Sequence, residues 1–113
     1  MDNRIRKYLL DIIEAINSVD EHLQRSRNFK VYLSNKTMRR SVEREVEIIG
    51  EAMNRILRIE PDIKITAAVR IVDQRNLIIH AYDSVNNEMI WNVVINYLPK
   101  LKEEVQVLLA QPT

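Results

Sequence analysis

From Ile5 the apolar positions Ile5, Leu9, Ile12, Ile16, Val19 and Leu23 step by four and three in alternation. That spacing keeps one stripe of a helix against a core, and it predicts a first helix over about residues 2 to 25. The period lapses between Ser26 and Lys36, where a connection with a short turn around Asn28 to Leu33 is expected. It resumes at Val42, Val46, Ile49, Met53 and Ile56, so a second long helix spans about Thr37 to Ile59. Pro61 bars the residue before it from a helical conformation and helps to stop this helix. Pro61 to Ile65 then reads as a linker, with Thr66 as N-cap of a third helix running to about Tyr82. Asp83 to Asn87 is a turn-and-cap cluster. The last helix carries Ile90, Val93, Val94, Tyr97, Leu98, Leu101, Val105 and Leu108 on one stripe, and Pro99 should kink or divide it. No stretch alternates with the period of a strand. The expected fold is an all-α bundle of four to five helices, a single domain over residues 1–113.

Two residues break the pattern. Gly50 is the chain's one glycine and falls in mid-helix, where glycine is less favourable than alanine by about 1 kcal/mol. The usual reason is a second backbone passing close by. Arg75 is the other: on a helix it sits in the middle of the apolar side, among Ala68, Ile71, Val72, Ile78 and Ile79. An unpaired guanidinium there must reach solvent, a carboxylate, a cleft or a partner chain. If the third helix crosses the second at Gly50, Glu47 or Glu51 comes within reach of Arg75. The competing reading of Glu51, an exposed partner of Arg55 one turn on, is equally plain from the spacing.

Composition narrows the functions. Seventeen basic and sixteen acidic residues leave a net charge of +1, so there is no global field to gather nucleic acid and any RNA contact must be local. Arg39, Arg40 and Arg44 form the densest basic cluster. A solvated face is the commoner meaning of such a run, but beside a cleft it would hold phosphates. Arg25, Arg27 and Lys30 make the first connection basic, and a solvated connection is again the simpler reading. The chain has no cysteine, hence no disulfide framework or thiol chemistry. The charged N-terminus and the lack of an apolar run near the roughly 18 residues of a membrane span argue for a cytoplasmic protein without a membrane partner. His22 and His80 lie far apart, so no metal-ligand spacing is evident. A phosphate-binding glycine loop and a nucleophile elbow are also absent, and no metal or cofactor is expected.

The candidate chemistry gathers in Arg75-Asn76-Leu77-Ile78-Ile79-His80-Ala81-Tyr82. Arginine, a polar residue, three apolar residues, histidine, one residue and tyrosine: this order resembles the signature of the HEPN superfamily, in its HepT-like toxin branch. Glu47-Ile48-Ile49-Gly50-Glu51-Ala52 is similar to the glycine-glutamate segment on the preceding long helix of that family. The closing run from Ile90-Trp91 to Leu98-Pro99-Lys100-Leu101 extends the resemblance over most of the chain. Asp73-Gln74 departs from it, standing where a small or apolar pair is commoner.

The resemblance implies a homodimeric helical bundle and a metal-independent endoribonuclease toxin of a type VII toxin-antitoxin pair. Arg75 and His80 of both chains would line a cleft at the interface. His80 suits proton transfer because an imidazole titrates near neutrality, and Arg75 suits the phosphate because its fork stays charged and binds two oxygens. Asn76 and Glu51 would support them. The resemblance also marks Tyr82 as the acceptor of AMP from a minimal nucleotidyltransferase antitoxin of the MntA type. That bulky anion beside Arg75 and His80 would block an RNA phosphate. On an ideal helix Tyr82 points away from His80, so a shared site requires the helix to fray or end near Ala81. The rival reading is a non-catalytic helical binding subunit or specificity module of a nucleotidyltransferase.

Overall fold

A computed structural model describes residues 1–80 and 87–112, the side chains of residues 74 and 77–80 excepted. Among the described residues every regular element is helical. The first helix, α1 (Asn3–His22), opens on Asp2, whose side chain accepts the Arg4 N–H at 2.7 Å. It closes in a Schellman motif, with Arg25 N–H bonded to Asp20 O and Gln24 N–H to Glu21 O. Gln24 and Arg25 take φ of 54° and 60° to do so, and this left-handed backbone ends the helix before the expected Arg25.

The expected turn is a short helix, α2 (Phe29–Ser34), capped by Asn28 on Val31 N–H. Next, α3 (Lys36–Ile59) is capped by Asn35 on Met38 N–H at 3.0 Å. Both caps satisfy an N–H that the first helical turn leaves free.

The stripes are where the periodicity puts them. Ile5, Leu9, Ile12, Ile16 and Val19 of α1 and its C-cap Leu23 are all buried, and so are Val42, Val46, Ile49, Met53 and Ile56 of α3. These two long helices pack along each other and form the main seam of the core. Tyr32 of α2 is wholly buried, its ring centroid 5.1 Å from that of Trp91, which also meets Phe29 at 5.5 Å. Its hydroxyl has no partner among the described residues, and burial pushes its pKa up.

The linker after α3 leads into α4 (Ala68–His80), which packs chiefly on α3. Thr66 does not cap α4. Its N–H and its hydroxyl both donate to the Glu104 carboxylate, the hydroxyl at 2.9 Å, so the linker is tied to the last helix and α4 begins two residues later.

That last helix is α5 (Asn87–Asn92), a π-helical turn (Val93–Tyr97) and α6 (Leu98–Ala110) in unbroken succession. Pro99 explains the π turn. Its ring clashes with the carbonyl four residues back in a regular helix and it has no N–H to give. The turn is widened just upstream, where Leu98 N–H bonds to Val93 O. The extra residue rotates the helix, so Val94 and Leu98 are buried while Tyr97 packs half-buried at the edge of the expected stripe. The Tyr97 hydroxyl instead accepts from Arg70 of α4 at 2.6 Å. Among the described residues, no helix is long and apolar enough to cross a membrane.

Candidate active site

The site is built where α4 crosses α3. A Cβ on Gly50 would lie 2.2 Å from Arg75 Cβ and 2.6 Å from Arg75 Cγ, with Ile71 O at 3.5 Å. The absent side chain of Gly50 is therefore the space that the Arg75 stem occupies. This resolves both sequence anomalies at once, since a mid-helix glycine and an arginine on an apolar face are one contact seen from its two sides.

From that seat the guanidinium reaches two partners. Arg75 Nη2 donates to Glu51 Oε2 at 2.5 Å, and Nη1 donates to Asn76 Oδ1 at 2.9 Å. Nε is buried with no partner among the described residues. The other Glu51 oxygen accepts from Arg55 Nε at 2.9 Å. Both sequence readings of Glu51 hold together: one carboxylate bridges its own helix and the next. The Arg55 hydrogen bond lowers the Glu51 pKa, partial burial works against that, and the nearby Arg75 charge lowers it further. Glu51 is thus held ionised, and Arg75 stays aimed while remaining 21% exposed.

Arg75 opens onto a groove of about 530 Å³ between α1 and α3, lined also by Lys7, Tyr8, Arg44, Glu51 and Arg55. The basic cluster of α3 is split by its helix. Arg44 faces this groove, Arg39 donates to Leu33 O, and Arg40 is exposed. In the first connection Arg27 pairs with Asp20, in line with the structural reading of that stretch. His22 Nε2 lies 3.8 Å from Glu45 Oε1 on the α1–α3 seam and does not line the groove.

His80 closes α4, its side chain being outside the described residues, and Tyr82 lies outside them altogether. The structure therefore brings together Arg75, Asn76 and Glu51. The sequence reading missed Tyr8 and Lys7, which carry no motif. Their one signal is position, since Tyr8 precedes the buried Leu9 and so borders the apolar stripe of α1.

The family model of HepT-like ribonucleases matches residues 12–108, a span that contains the Gly50–Arg75 crossing. The chain belongs to the HepT-like ribonuclease family. The expected enzyme class, an endoribonuclease, follows from that membership. Among relatives, a protein of Thermococcus cleftensis designated a probable ribonuclease HepT is 35% identical over 107 residues, covering 91% of this chain and 94% of the relative. One of Methanocaldococcus jannaschii that bears the name "Putative RNase" is 30% identical over 105 residues, with 92% and 95% covered. No solved structure gives a significant match. For a HepT-like chain, the glycine–arginine contact gives the paired motifs a physical meaning: the glycine-glutamate segment of α3 is the seat and the clamp of the arginine on α4.

Proposed function

We propose that this chain is a toxin that cuts RNA without a metal, using Arg75 and His80, and that two copies join to complete the site in the cytoplasm. The observation that carries this reading is the anchored guanidinium: Arg75 is seated on Gly50, clamped by Glu51 and Asn76, and open to a groove. A cation held this way is preorganised for charge that develops on a phosphate, and little rearrangement is needed when the reaction occurs. In the step envisaged, the ribose 2′-hydroxyl attacks the adjacent phosphorus. The new bond is 2′-O to P, the bond broken is P to 5′-O, and one proton leaves the 2′-oxygen as another reaches the departing 5′-oxygen. His80 moves those protons, while Arg75 holds the non-bridging oxygens.

Glu51 and Asn76 are positioning residues here. A phosphate must share or displace the Glu51 contact, and the second Glu51 bond to Arg55 gives the carboxylate somewhere to remain. His80 lies five positions beyond Arg75, about 7.5 Å of helix rise and about 140° of rotation. Positions so spaced on an ideal helix face apart, and a cleft between two copies would let both residues act on one phosphate. Tyr82, two residues beyond His80, is the proposed acceptor of AMP from a minimal nucleotidyltransferase antitoxin of the MntA type. The modification would set an anion in the path of the RNA phosphate.

The test is cleavage of mixed RNA in the presence of a chelator by the chain expressed without a partner, beside Arg75→Ala and His80→Ala. Both variants are expected to lose about 100-fold or more of the rate, with helical content and dimer mass retained. A parent that carries no AMP on Tyr82 and cuts nothing would overturn the nuclease reading in favour of a binding subunit. Incubation with the partner enzyme and ATP is expected to add one AMP to the parent and none to Tyr82→Phe.

A further inference from the structure

The groove holds an aromatic ring that the proposed chemistry does not use. Tyr8, half-buried and packed on the core, lines the same groove as Arg75. Two cations lie over its ring, Lys7 Nζ and Arg55 Cζ each 5.9 Å from the centroid, so a base that stacks there exchanges with one of them. Each is also tied to a carboxylate, Lys7 to Asp11 at 2.9 Å and Arg55 to Glu51 at 2.9 Å. Exposed pairs of this kind are worth only about 0.2–1 kcal/mol, so a phosphate oxygen can exchange for the carboxylate at little loss. Arg44, exposed on the same wall, makes no ion pair among the described residues. An aromatic platform between cations is the arrangement with which proteins hold single-stranded nucleic acid, the ring taking the base and the cations the backbone.

We propose that Tyr8 is the base-stacking platform of an RNA subsite adjoining Arg75, with Lys7 and Arg44 taking the flanking phosphates. The proposal rests on the ribonuclease reading and adds the residues that grip the strand beside the cut. The charge inventory shapes what the subsite does. Lys7, Arg44, Arg55 and Arg75 share the groove with Asp11, Glu47 and Glu51, so phosphate attraction is largely offset and stacking must carry much of the grip. Binding should therefore depend only shallowly on salt and fall sharply when the ring is removed. Stacking tolerates any base, because each has a π face. This subsite accordingly favours unpaired strands without selecting a sequence.

The experiment is fluorescence anisotropy of a labelled single-stranded 2′-O-methyl RNA, whose capped 2′-oxygen cannot attack, across a salt series. Tyr8→Ala and Tyr8→Leu are expected to bind about tenfold more weakly, and Tyr8→Phe to restore the parent affinity. Leucine keeps apolar bulk against the core, so its loss reports stacking rather than packing. Arg44→Gln is expected to lower the slope of log affinity against log salt by about 0.7, the share of one single-strand phosphate. A folded Tyr8→Leu chain that binds like the parent overturns the subsite. So does a Tyr8→Leu loss that tracks a fall in dimer mass, which would make the wall a contact between copies. A parent that cuts RNA while Tyr8→Leu behaves identically removes the subsite alone; a parent that neither binds nor cuts removes both it and the ribonuclease reading.

Discussion

The two sides of α3 are made on opposite plans. Along its apolar stripe it carries Val42, Val46, Ile49, Met53 and Ile56, all buried in the core that it builds chiefly with α1. Towards α4 it presents Gly50, with Glu51 beside it, and receives the stem and fork of an arginine. The first seam is held by apolar area removed from water, which is non-directional and tolerates exchange among hydrophobic residues of similar volume. The second is held by a shape that admits one side chain and by hydrogen bonds that fix its aim. One helix thus joins a seam that stabilises the fold to a crossing that orients a cation, and damage to either should leave a different signature.

Ile12→Ala should give the largest loss of stability. Ile12 is fully buried in the α1–α3 seam, and truncating such a residue costs about 2–5 kcal/mol. Urea unfolding is expected to show that loss, while the folded fraction at low denaturant still cuts RNA.

Gly50→Ala should reverse the emphasis. The added methyl meets Arg75 Cβ and Cγ inside contact distance, so α4 must shift at a cost of about 1–3 kcal/mol. About 1 kcal/mol returns from the better helix propensity of alanine. Net stability should therefore fall less than in Ile12→Ala, yet activity should fall further, because Arg75 has been displaced. Equal activity in Gly50→Ala and the parent would mean that the crossing does not aim the arginine.

Glu51→Gln should produce the smallest change, and one that depends on pH. The folded pKa of Glu51 is depressed, chiefly by Arg55. Its contribution is therefore fully present above the ordinary carboxyl value of about 4.5, and fades as pH falls through the lower folded value. Thermal midpoints of parent and variant should differ by a constant amount near neutrality and converge in acid. A gap that persisted below the carboxylate range would show that Glu51 acts through its shape rather than its charge.

The two seams also differ in how far the chain alone revealed them. An aliphatic stripe repeats over about four to five turns, so its period is visible in α1, α3 and the final helix without any partner in view. The crossing was visible through discomfort: Gly50 and Arg75 each violate a local preference, and two violations with matching shapes find each other. What stayed hidden has no repeat and no violation. Six residues are too few for α2 to show a helical period, although Asn28 was its cap. Tyr32 looked like part of a polar connection and is wholly buried. Thr66 had the chemistry of a cap, but Glu104, 38 residues on, took its donors. Tyr8 entered the groove because α1 and α3 lie side by side, and only the packed fold brings that wall next to Arg75.

The bond between Thr66 and Glu104 gives α6, which contributes no residue to the groove, a mechanical part in the site. Seen from its linker, α4 is a lever arm. Arg75 stands seven residues from its first residue, about 10 Å along the axis, so a swing of about 6° at the base carries the guanidinium about 1 Å. That is the margin within which a reacting geometry is kept or lost. Thr66, tied to Glu104 by both its N–H and its hydroxyl, stands at the base of that arm, and the Gly50 crossing holds its far end.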